Sequence, residues 1–120
     1  MSYGTSIYRR GGEIIKAGDM SGNITSDIVD IQKTLFVGLQ LTAASATHVG
    51  TITVQVSNDR TNWFNVVFDD GTSTIVVSNG SAVATFVNLA DLASQWMQVV
   101  YTATSGVGSL NCLCVLKLHQ

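Results

Sequence analysis

Proline is absent from this chain of 120 residues, and charge is scarce, with six basic and eight acidic side chains. Without proline, every turn has to be made by Gly, Asn, Asp or Ser. The charged fraction of 12% is about half that of an ordinary soluble domain. A net charge of −2 leaves no electrostatic footprint for nucleic acid, so nucleic-acid binding is not expected. No stretch approaches the roughly 18 apolar residues of a membrane span, and no membrane partner is expected. The opening residues MSYGTSIYRRGGEIIK lack the apolar run of a secretory signal, so synthesis in a cytoplasm is expected.

Catalytic signatures are missing as well. The chain has no G-x-S-x-G elbow, P-loop or dinucleotide fingerprint. Its two histidines, His48 and His119, fall in a small-residue loop and at the penultimate position. The acidic residues sit at turns and strand ends, where Asp59, Asp69 and Asp70 read as turn formers. No calcium loop of the DxDxDG kind surrounds Asp69-Asp70. Cys112 and Cys114 lie one residue apart on a strand pattern, which points both to the same face with Cα atoms about 6.5–7 Å apart by strand rise. That is poor geometry for a bridge, so two small buried apolar residues are expected. Further metal ligands are wanting. The sequons Asn23-Ile24-Thr25 and Asn79-Gly80-Ser81 need a secretory route to matter. The expectation is a protein that is not an enzyme, with no cofactor and no metal.

What is present is a β pattern. In GTITVQVSNDRTNW, Gly50 to Trp63, Ile52, Val54 and Val56 alternate with Thr51, Thr53 and Gln55. Ser57, Asn58 and Asp59 then bend the chain, and Trp63 opens the return strand. Ser57, Asp59 and Trp63 are thus expected as turn and anchor. Similar runs recur at Ile24 to Ile31, Lys33 to Thr42, Trp63 to Phe68, Thr74 to Ser78, Ala82 to Val87, Gln95 to Thr104 and Ser109 to Leu118. Turn signals separate them, including Asp70-Gly71, Asn79-Gly80 and Ser105 to Gly108. About eight strands at this spacing predict an all-β, single-domain β-sandwich of jelly-roll type. Its core should hold Leu39, Leu41, Val54, Val56, Leu110 and Cys112. Leu89 and Leu92, spaced i, i+3 behind Asn88, predict one short helical turn near 89–94. Aromatics on strands, such as Trp63, Phe64, Trp96 and Tyr101, are expected in the core rather than on a sugar-stacking rim.

Residues 1–20 differ from the rest and are expected as an N-terminal arm or edge segment, leaving 21–120 as the sandwich. Low charge and a mean hydropathy of +0.31 imply that part of the surface is covered by other subunits. Ile7, Tyr8, Ile14 and Ile15 are the expected assembly contacts, with Arg9 and Arg10 at the rim.

The strand ending VQVSNDRTNW, Val54 to Trp63, together with QWMQVVYTATSGVGSL, Gln95 to Leu110, resembles small β-sandwich virion proteins of tailed bacteriophages with a discoidin-like strand pattern. The resemblance spans Leu35 to Leu118. It implies a virion structural protein, a capsid-associated or decoration subunit acting as a homo-oligomer with other virion proteins. It also implies a possible glycan contact, and it supplies no catalytic residue. The rival reading is a discoidin-like carbohydrate-binding module using the loops Ala43 to Gly50 and Asp69 to Thr72.

Overall fold

A computed structural model describes residues 7–44, 47–77, 83–90 and 92–119. Two antiparallel sheets face one another as a sandwich. The first holds β1 (Ile7–Asp19), β10 (Ser109–His119), β4 (Thr34–Ala44) and β8 (Val83–Ala90), in that order. The second is built on β9 (Trp96–Ser105) and β5 (Val49–Ser57). Short strands flank that pair: β2 (Ile24–Thr25) and β3 (Val29–Asp30) on β9, and β6 (Phe64–Asn65) and β7 (Ile75–Val77) on β5. The domain is all-β, as its alternation predicts.

The core follows period two. Val37, Leu39 and Leu41 of β4 meet Leu110, Cys112, Cys114 and Leu116 of β10 on one inner face. Ile52 and Val54 of β5 meet Met97, Val99 and Tyr101 of β9 on the other. Of the six residues expected in the core, five are buried and Val56 is half-buried against them.

Cys112 and Cys114 are buried and not bridged to each other, because the pleat aims both side chains into the same packed layer. Burial, and then the neighbouring Cys114, push the Cys112 thiol up to about 12. A thiol so placed is protonated and shielded. Alkylation at pH 8 is expected to leave both cysteines unmodified until the chain unfolds, and mass spectrometry along a urea gradient would check this. Modification at native rates would place them at the surface.

Several expectations require correction. The helical turn near 89–94 does not form: Asn88 and Leu89 belong to β8, no helix occurs among the described residues, and Asp91 lies outside them. Pairing of Phe36 to Ala43 with Val83 to Ala90 keeps Leu89 on the inward alternation, buried at the core. A full antiparallel ladder outweighs one i, i+3 leucine pair. The Ile24 to Ile31 run is two short strands, since Ser26 replaces the ladder between them. Its N–H donates to the Val99 carbonyl at 2.8 Å, and its hydroxyl accepts from the Val99 N–H at 2.8 Å. Ile15, expected on a neighbouring subunit, is buried in this chain's own core, and Ile14 is half-buried against it. Shifts of register between Glu13 and Ile15 and between Ile15 and Gly18 let two consecutive isoleucines reach the inner layer.

The backbone of residues 7–19 forms an edge strand along β10, while the side chains of Ile7, Tyr8, Arg9 and Arg10 lie outside the described set. So does the expected turn at Asn79-Gly80.

Candidate functional site

The 57–62 turn is the most highly connected polar feature. Ser57 is buried, and its hydroxyl accepts from the N–H groups of Asp59 at 3.1 Å and Arg60 at 2.9 Å. That hydroxyl donates to Asp59 Oδ1 at 2.9 Å. The Asp59 carboxylate accepts in turn from the N–H groups of Thr61 at 2.9 Å and Asn62 at 2.8 Å, and from the Asn62 amide at 2.8 Å. Asn58 accepts from the Gln95 N–H at 2.9 Å, and the Arg60 guanidinium sits 4.8 Å from the Trp96 ring centroid. These contacts clamp the turn onto the start of β9. Trp63 is half-buried, and Phe64, expected in the core, is instead 67% exposed on the two-residue β6. Two backbone N–H groups and the side chains of Ser57 and Asn62, all within the turn, engage the Asp59 carboxylate, so it holds the turn in shape.

The bond from the Asn62 N–H, then that from Thr61, and then the side chains of Asn62 and Ser57 hold the Asp59 carboxyl far below its ordinary 3.8. Bonds from Ser21 and Thr72 lower Asp19 and Asp70 in the same direction. A carboxyl whose folded pKa is depressed contributes stability above the unfolded value, and that stability is lost as pH falls through the folded one. Stability should therefore be flat from neutrality to about pH 5 and decline below about pH 4. Asp59→Asn should lower stability at pH 7 and flatten that decline. Urea denaturation of both proteins at pH 7, 4 and 2.5 would test this; parallel curves would refute it.

His48 was expected in a loop and is wholly buried, with neither ring nitrogen hydrogen-bonded. Tyr101 is equally buried with an unpaired hydroxyl, and burial raises its phenol pKa. A buried polar group without a partner costs about 1–3 kcal/mol. His48→Leu is expected to raise the melting temperature, by an amount corresponding to about 1–2 kcal/mol. A lower melting temperature would mean that the imidazole is used. Sequence spacing carries no signal for this burial, which depends on the 105–108 turn closing over residue 48.

No group of three or more His, Cys, Asp or Glu side chains suited to a metal occurs among the described residues. The two loops of the carbohydrate reading are used separately. Thr47 is bound to Val107 through its N–H at 3.1 Å and through its hydroxyl, which accepts from the Val107 N–H at 3.0 Å. Asp69, Asp70 and Thr72 instead border a groove of about 840 Å³ between β8 and residues 66–75. Asp70 there accepts from the Thr72 hydroxyl at 2.7 Å and N–H at 2.9 Å, which closes the turn on itself. Apolar side chains stand exposed around the sandwich, among them Phe36, Phe64, Val67, Val76 and Phe86.

No protein-family model and no curated protein sequence matches the chain. Solved structures do. The SPBc2 prophage-derived protein YomS superposes with a TM-score of 0.63 at 8% identity, covering 96% of this chain and 99% of that one. The PBSX exported protein XepA gives a TM-score of 0.65 at 13% identity over 92% of this chain, which spans 38% of XepA. A protein of Bacillus endospore appendages, described as disulfide-linked pili, gives a TM-score of 0.54 at 16% identity over 100% of this chain and 98% of that one. At these identities the likeness is one of fold. The disulfide linkage of the pili has no counterpart in the buried cysteines here.

Proposed function

We propose that this chain is a non-enzymatic virion structural protein, a capsid-associated or decoration subunit that works as a homo-oligomer. The observation that carries the reading is the match to prophage-derived YomS, in which one sandwich accounts for 96% of this chain and 99% of the other. Supporting it, polar side chains are spent on turns, and large apolar ones stand exposed at the surface. A protein that acts by assembly needs a rigid body and sticky surfaces rather than a cleft. The partners are other copies of the chain and other virion proteins.

Co-sedimentation of the purified protein with capsids lacking it is the direct test, and saturable binding is the expected result. Failure to bind heads, combined with a rise in melting temperature on adding a glycan, would instead favour the carbohydrate-binding reading.

A further inference from the structure

We propose that β8 is an assembly edge on which β8 of a second copy of this chain pairs antiparallel, joining two four-stranded sheets into one of eight strands. This rests on the reading of the chain as a self-assembling subunit and specifies the surface used.

An unpaired strand edge is a template for another strand, and proteins that stay monomeric defend it with charge, proline, bulges or brevity. Three of the four sheet edges here are defended. β1 is broken by two register shifts and carries the exposed charges Glu13 and Lys16. β2 and β3 are two residues each, and β6 and β7 are two and three. β8 is the exception. Its eight residues, VATFVNLA, hold no charge and no proline, and its pairing with β4 runs from Val83 to Ala90 without a shift. Among the described residues, no strand covers its far side.

The surroundings fit the same partner. Phe86 is 65% exposed on the outer face, lying over Gly38 beside Phe36. A two-fold axis through Phe86 pairs it with its own copy and sets Ala84 opposite Asn88 of the partner strand, which keeps every outward side chain on one face. Such a cross-strand aromatic pair is favourable. On the inner side the edge opens onto the 840 Å³ groove, where Val66, Phe68, Ile75, Val87 and Leu92 are the apolar lining and Asp69 and Asp70 stand at the border. β1 is the poorer partner for β8, because its bulges break the register that a continuous ladder requires.

The test is light scattering on the full chain over a range of concentrations, for wild type and for Ala84→Lys/Phe86→Lys. Both positions are exposed, so the far-UV circular dichroism of the variant should be unchanged. The wild type is expected at twice or a higher multiple of the chain mass, and the double-lysine variant at a lower multiple. Phe86→Cys supplies the complementary readout. Oxidation should yield a covalent dimer on a non-reducing gel, since opposed residues of an antiparallel pair lie within disulfide reach and the native cysteines are buried. Unchanged mass in the folded double-lysine variant, or monomer alone from oxidised Phe86→Cys, overturns the β8 edge. A wild type that is monomeric yet co-sediments with capsids overturns the edge and leaves the virion reading standing. A monomer that does not co-sediment overturns both.

Discussion

Val54→Asp is expected to abolish folding, giving insoluble protein on expression and no cooperative melt. Val54 is fully buried, on β5 opposite Val99 of β9. The core cluster it belongs to is built of aliphatic, aromatic and sulfur-bearing side chains. An ionised carboxylate placed there loses its hydration without compensation, and the effective penalty is several kcal/mol even after relaxation. A domain of this size holds about 5–15 kcal/mol in total, so one such substitution consumes most of it. Thr53→Asp is the control, because the neighbouring side chain points to the opposite face and is half-exposed. It should fold. A soluble Val54→Asp with a normal melt would mean that the inner and outer faces of β5 are reversed.

Gly106→Ala should have the next largest effect, a loss of about 3 kcal/mol or more. Two constraints meet at this residue. Its φ of 81° lies in the left-handed region, which a side chain adopts at a cost of about 1 kcal/mol. In addition, a β-carbon there would collide with the Thr47 carbonyl oxygen, so the backbone of the 47–48 segment has to move. Movement would break the paired hydrogen bonds between Thr47 and Val107 and uncover His48. Gly71 separates the two contributions, since its φ is 85° with nothing within 4 Å of a built β-carbon. Gly71→Ala should therefore cost only about 1 kcal/mol. For a domain near 120 residues, the gap between the two variants corresponds to roughly 8 °C or more in melting temperature. Equal losses would show that the close approach at Thr47 relaxes freely.

The alternation of Leu39 with Leu41, of Ile52 with Val54 and of Leu110 with Cys112 determined the all-β class and most of the core. A strand's side chains alternate strictly, so local pattern alone assigns each face. The Ser57 to Asn62 turn was equally legible, because its hydrogen bonds run between residues two or three apart. Asp70-Gly71 likewise places its glycine at positive φ.

Contacts distant in sequence decided the rest. Leu89 and Leu92 satisfy a helical spacing, and the ladder to β4, some fifty residues earlier, makes Leu89 a strand residue instead. Ile14 and Ile15 look like an arm's apolar grip until the bulges in β1 turn both toward the core. His48 reads as a loop residue, and closure by Gly106 to Gly108 buries it. Whether an edge strand lies open depends on the order of strands in the sheet. That order arises from pairings across the whole chain, so only the tertiary structure left β8 without a second strand among the described residues.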